Sequence, residues 1–158
     1  MLSCCRLNAE IPEGVTEIHP GAYSFCDWQQ VSVGGCDEDD IACSVATRIV
    51  GDYPFKQQIL VDAGFTAMSH DLGRNETTGY FNVSIVGHPE LALVRVTQEL
   101  GIIKAKNGAK IDFEKFKAGQ MLFIQPYHCC ATADKFYEYL VSDGGEEYFE
   151  KWQPVKGW

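Results

Sequence analysis

No run in this 158-residue chain approaches the roughly 20 apolar residues that a membrane-spanning helix needs. Its first residues, MLSCCRLNAEIPEG, lack the apolar core of a secretory leader. The expectation is a cytoplasmic protein with no membrane partner. Positive charge is scarce as well: 13 Lys and Arg stand against 22 Asp and Glu, for a net charge of −9. No basic stripe is present, and the densest basic stretch, Lys104 to Lys117, is diluted by Asp112 and Glu114. A nucleic-acid partner is therefore excluded, since phosphate binding needs clustered cations. The seven cysteines contain no CxxC and are odd in number, which disfavours a disulfide framework. Most read as small buried hydrophobes. The sequons at Asn75 and Asn82 carry no meaning without secretion. Repeats, low-complexity segments and long helical periodicities are missing too.

What is present is a succession of short strand-like segments. They run Ile41–Val50, Gln58–Val61, Tyr80–Val86, Leu91–Val96, Gln120–Gln125, Phe136–Ser142 and Tyr148–Val155, each rich in β-branched or aromatic residues. Turn signals separate them: Gly34-Gly35, Asp52-Tyr53-Pro54, Gly87-His88-Pro89, Asn107-Gly108 and Asp143-Gly144-Gly145. Helical signals are confined to Asp112–Lys117 and Ala131–Phe136. The expected fold is mainly β, a barrel-like or strongly twisted antiparallel sheet with minor helix. Residues 1–13 read as a connector or tail, with Pro12 and Gly14 punctuating entry into one domain over 14–158.

The strongest chemical signal is His128-Cys129-Cys130, just after the apolar strand Met121–Ile124 and Pro126. In extended backbone, residues i and i+2 share a face, so His128 and Cys130 would converge while Cys129 turns into the core. Imidazole with thiolate suits Zn²⁺ rather than Mg²⁺ or Ca²⁺, and two protein ligands leave coordination positions open. Bare H-x-C is a weak motif, and its ordinary alternative is a hydrogen-bonded histidine beside a buried thiol. Asp62 and Gly64 read as turn-shaping residues. His19, His70 and His88 lack ligand spacing and read as surface or hydrogen-bonded histidines. Two further arrangements carry less weight. One is a closed zinc site adding Cys4 and Cys5. The other is a cysteine nucleophile using His128 as base, for which no orienting carboxylate is evident.

Five stretches, in order, resemble the C-terminal domain of eukaryotic-type D-serine dehydratase, within the D-threonine aldolase-like group. They are Val15–Tyr23 (VTEIHPGAY), Leu60–Ala67 (LVDAGFTA), Gly87–Leu91 (GHPEL), Pro126–Thr132 (PYHCCAT) and Trp152–Trp158 (WQPVKGW). The resemblance implies a β domain that holds zinc on a His-x-Cys pair, here His128 and Cys130, and works beside an N-terminal barrel carrying pyridoxal phosphate. D-threonine aldolases have an aspartate in place of this cysteine, so Cys130 points to the dehydratase branch. The implied reaction converts D-serine, or a similar small D-amino acid, to pyruvate and ammonia. Zinc acts as Lewis acid on the β-hydroxyl, and the pyridoxal cofactor makes the α-proton acidic. Tyr23 aligns with a tyrosine near the family's active site; a strand aromatic in the core is its alternative. The related readings are a D-threonine aldolase or 3-hydroxyaspartate dehydratase, and a non-catalytic truncated β module.

The chain departs from the family at three positions: Leu100 stands where a histidine is usual, Tyr127 where Asn or His is, and Ala22 where Asn is frequent. A (β/α)₈ barrel needs about 250 residues, and none of the lysines from Lys56 to Lys156 matches the family's cofactor lysine. The barrel is therefore expected outside this chain, which alone would be inactive and, with its barrel-facing surface exposed, capable of homodimerising.

Overall fold

The structure, a computed structural model, describes residues 11–17, 19, 21–143 and 150–155. Cys4, Cys5, most of the expected connector, Gly144-Gly145, the start of the Tyr148–Val155 segment and the last three residues lie outside the described residues.

Among the described residues eight strands form in the order β1 Val45–Tyr53, β2 Gln58–Val61, β3 Ser84–Ile85, β4 Leu91–Val96, β5 Gly101–Ala105, β6 Met121–Gln125, β7 Tyr139–Val141 and β8 Glu150–Trp152. The first six make one antiparallel sheet in the order β3-β6-β1-β2-β5-β4, and β7 with β8 make a separate ribbon. The sheet curls until its two edges meet. Phe81 N–H, just before β3, donates to the Leu93 carbonyl of β4 at 3.0 Å, so the sheet is a nearly closed barrel. Closure of this kind removes the unpaired edges that a flat sheet would expose.

Alternation dictates which side chains fill it. In β1, Val45, Thr47 and Ile49 point inward while Ala46, Arg48 and Val50 face out. In β6, Leu122 and Ile124 point inward between the outward Met121 and Phe123. Ile59, Val61, Leu93 and Ile103 meet them at the centre, each essentially without solvent exposure. Each such side chain contributes about 1.5–3 kcal/mol on burial. Asp62 ties the barrel at a break in the β1–β2 register between Ile49 and Gly51. Its carboxylate accepts from the Thr47 hydroxyl at 2.6 Å and the Arg48 N–H at 2.7 Å. Asp62 is thus a cross-strand clamp, not only a turn residue.

The mainly β, barrel-like expectation holds, but several segments differ from their reading. The strand expected over Ile41–Val50 begins at Val45 and continues to Tyr53. Tyr80–Val86 yields only Ser84–Ile85 as strand, because Asn82 N–H turns back to the Leu72 and Gly73 carbonyls. β5 has no counterpart among the expected strands. Among the described residues three short α-helices form, α1 Trp28–Ser32, α2 Phe65–Met68 and α3 Cys129–Ala133; α3 overlaps the expected Ala131–Phe136 segment but starts two residues earlier, and α1 and α2 have no counterpart among the expected segments. Asp112–Lys117 makes a short turn, within its reading as a short turn or helix.

Gly64 permits the entry into α2. A Cβ there would fall 2.3 Å from the Gln98 carbonyl oxygen, so only glycine admits the β4–β5 turn this closely. That approach lets Phe65 and Thr66 donate their N–H groups to the Thr97 and Gln98 carbonyls at 2.9 and 3.1 Å. The start of α2, and the loop it feeds, are thereby fixed to the barrel.

Candidate metal centre at the start of α3

The chain leaves β6 at Gln125, passes through buried Pro126, and enters α3 at Cys129 with His128 as N-cap residue. His128 is extended (φ −127°, ψ 100°), yet Cys129 and Cys130 are already helical. The pairing of positions 128 and 130 on one face of a strand is therefore corrected: Cys130 sits in the first turn of a helix. Cys129 is 1 % exposed and belongs to the interior, whereas Cys130 is exposed.

Two carboxylates that carry no motif hold this segment. Asp71, from the loop after α2, accepts a hydrogen bond from His128 Nδ1–H at 2.6 Å. A neutral ring that donates from Nδ1 in this bond carries its lone pair on Nε2. This is the tautomer a metal takes from a histidine whose other nitrogen is bound to a carboxylate. Asp71 is itself placed by its N–H, which donates to the Ser69 hydroxyl at 3.1 Å. Ser69 has φ +67°, an uncommon left-handed value for serine, and is buried.

Asp27 works from behind and is fully buried. One carboxylate oxygen caps α1 by accepting from Gln30 N–H at 2.9 Å, and the other accepts from Cys129 N–H at 2.7 Å across 102 residues of sequence. Beside it, Trp28 and Gln29 donate their N–H groups to the Pro126 and Tyr127 carbonyls at 3.3 and 2.9 Å. The start of α1 is thus laced along residues 126–129. The far side of α3 is tied to α2 by the Thr132 hydroxyl, which donates to the Met68 carbonyl at 3.0 Å.

The thiols differ in character. Burial, then the hydrogen bond and charge of Asp27, push the Cys129 thiol far above its usual range. Burial, followed by the charges of Asp27 and Cys130, pushes Cys43 up to about 12. Both stay protonated at neutral pH, which leaves exposed Cys130 as the thiol of this group open to solvent chemistry.

The other singled-out residues lie apart from this arrangement or support it indirectly. Tyr23 is 58 % exposed in a turn before α1, so its alternative reading as a core strand aromatic is corrected. His19 pairs with Glu17 at 2.9 Å and His88 with Glu90 at 3.4 Å. His70 stacks on Phe65 with ring centroids 3.8 Å apart. Leu100 lies in the β4–β5 turn that anchors α2, with its carbonyl accepting from Thr97 N–H at 2.7 Å. Tyr127 lies against Gly73, where any Cβ would meet its ring at 2.8 Å. Among the described residues no group of three or more His, Cys, Asp or Glu side chains is arranged to enclose a metal. No described helix is long and apolar enough to cross a membrane.

Comparison with known proteins gives these features a family. The family model described as "Putative serine dehydratase domain" matches residues 42–142. D-serine dehydratase of Dictyostelium discoideum is 36 % identical over 149 residues, covering 92 % of this chain and 38 % of its own length. D-threo-3-hydroxyaspartate dehydratase of Delftia sp. (strain HT23) is 35 % identical over 162 residues, covering 96 % of this chain and 42 % of its own. The solved structure of that Delftia enzyme superposes with a TM-score of 0.76 over 92 % of this chain and 40 % of that one. D-threo-3-hydroxyaspartate dehydratase has also been solved as a histidine-to-alanine mutant and as a cysteine-to-alanine mutant in the metal-free form. The two mutated positions lie two residues apart. The chain thus spans about two fifths of the length of the dehydratases it matches. With more than half of its residues inside the family match, the chain belongs to the serine dehydratase domain family.

Proposed function

We propose that residues 14–158 form the metal-holding C-terminal β domain of a pyridoxal-phosphate-dependent lyase, with residues 1–13 as the connector to a barrel that carries the cofactor. The observation that carries this reading is the His128–Asp71 pair at the start of α3, beside exposed Cys130. The donor set suits a divalent metal, most readily Zn²⁺: a neutral imidazole whose second nitrogen is fixed by a carboxylate, and an accessible thiol. The mutated histidine and cysteine of D-threo-3-hydroxyaspartate dehydratase have the spacing of His128 and Cys130, which supports the same assignment.

When bound, the metal would supply Lewis-acid polarisation of a substrate β-hydroxyl, and pyridoxal phosphate in the companion barrel would supply an acidic α-proton. The chain's own residues set the stage for this. Asp71 holds the His128 ring in one tautomer and orientation. Asp27 holds the backbone of Cys129 and so fixes the first turn from which Cys130 projects. Cys129 fills the interior and keeps that turn seated. Tyr23, on its exposed turn, offers a hydroxyl to a companion domain and is proposed as a further catalytic group. The substrate is D-serine or a related β-hydroxy D-amino acid; near-equal identity to D-serine and D-threo-3-hydroxyaspartate dehydratases supports both as assay substrates.

The test is metal content of the purified chain against His128→Ala and Cys130→Ala. The parent should carry metal that both variants lose, and equal content in all three removes the proposal. Fused to a barrel domain from a related dehydratase, the parent should release the keto acid from one of the two substrates, whereas His128→Ala should not.

A further inference from the structure

We infer that Cys129 and Cys130 form a vicinal dithiol that takes a trivalent organoarsenical across both sulfurs. The two sulfurs lie 3.9 Å apart at the start of α3. Trivalent arsenic is pyramidal and holds its two sulfurs somewhat closer than this, so the pair closes by only a fraction of the present gap when the chelate forms. Cys130 is exposed and meets the reagent first; Cys129, buried behind it, then closes the chelate. Asp27 accepts from the Cys129 N–H at 2.7 Å, so the backbone that carries the second sulfur is fixed before the reagent arrives. A direct disulfide between these neighbours fits less well, because it requires the sulfurs to close to about 2.05 Å within one turn of helix.

The reaction balances without a redox step. An organoarsenic oxide exchanges its As–O bonds for two As–S bonds, the two thiol protons leave with the oxygen as water, and arsenic stays trivalent. The consequence for the metal rests on the proposed function: an arsenical that occupies Cys130 withdraws the thiolate from the metal pair.

The experiment uses the full chain carrying Cys4→Ser and Cys5→Ser, which removes the other adjacent cysteine pair. Phenylarsine oxide is the probe, and binding is read by intact mass and by competition with a dithiol. The expected result is one phenylarsenic group per chain, resistant to excess monothiol and released by dithiothreitol. Cys129→Ser and Cys130→Ser should each weaken binding about a hundredfold or more, the loss of an intramolecular second contact, while Cys43→Ser leaves it unchanged. Tight binding that survives Cys129→Ser, or that Cys43→Ser abolishes, overturns the inference. Bound zinc is measured in the same titration. Arsenical binding to a chain that holds no zinc sustains the dithiol and removes the metal reading. Zinc binding with only monothiol-grade arsenical affinity does the reverse.

Discussion

Replacing Asp27 isolates the interaction that seats the candidate centre. Its carboxylate is fully buried and accepts two backbone N–H groups, one from Gln30 at the head of α1 and one from Cys129 at the head of α3. The cap on α1 is worth about 1 kcal/mol. The buried, charge-assisted bond to Cys129 is worth about 1.5–3 kcal/mol, because removing the acceptor leaves a donor without water. Asp27→Ala should therefore destabilise the chain by about 2.5–4 kcal/mol, the sum of the two losses. Asp27→Asn keeps one acceptor but turns an NH₂ toward a backbone donor, and should cost about 1–3 kcal/mol. The assay is urea unfolding, with the midpoint falling at unchanged slope. Zinc affinity should drop about tenfold in Asp27→Asn while the fold persists, since the first turn of α3 loses its fixed backbone. An Asp27→Ala midpoint shift equivalent to under about 1 kcal/mol would refute this reasoning, because the carboxylate would then be dispensable.

Three further outcomes are expected. Asp71→Ala should lower zinc affinity about 10–100-fold in an equilibrium competition titration with little change in the urea midpoint, because Asp71 acts through the His128 ring and is half exposed. Gly64→Ala should destabilise the chain by more than the ~1 kcal/mol typical of a point substitution, since its Cβ meets the Gln98 carbonyl oxygen; thermal melting measures it, and an unchanged midpoint counts against the close approach. Burial opposes ionisation of Asp62, but hydrogen bonds from Thr47 and Arg48 outweigh it and hold the carboxyl below its usual value. Its stabilising contribution is therefore complete above about pH 4 and is lost as pH falls through the folded value; the stability gap between parent and Asp62→Asn should shrink between pH 7 and pH 3 in denaturant titrations.

Strands were legible where alternation was clean and the chain ran straight. Gln58–Val61 and Leu91–Val96 match their expected bounds because both are short apolar runs closed by turn residues. β5 gives a weak strand signal because Gly101–Ala105 opens on glycine, contains Lys104 and runs into a lysine-rich stretch, although Gly101, Ile103 and Ala105 alternate inward. Tyr80–Val86 has a strand's composition, but hydrogen bonds from Asn82 to residues 72 and 73 divert it, and those partners are not adjacent in sequence. The helices were hidden by their length. α1, α2 and α3 have five, four and five residues, too few for a 3.6-residue period to show.

The same difference in reach separates the two halves of the candidate centre. His128 and Cys130 stand out because they lie together in a local pattern. The carboxylates that orient them come from 57 and 102 residues away and have no pattern to belong to. Asp27 precedes Trp-Gln-Gln and reads at most as a helix cap, and Asp71 reads as a loop residue beside His70. Their roles arise only when the barrel closes. Gly64 brings α2 against the β4–β5 turn, α2 leads to Asp71, and β6 delivers His128 to meet it. A donor pair alone would be a flexible imidazole and a surface thiol. The long-range carboxylates give the imidazole a defined tautomer and the thiol a fixed helical turn. A substitution at Asp27 or Asp71 should consequently resemble loss of a ligand more than an ordinary surface change, even though neither side chain is proposed to touch the metal.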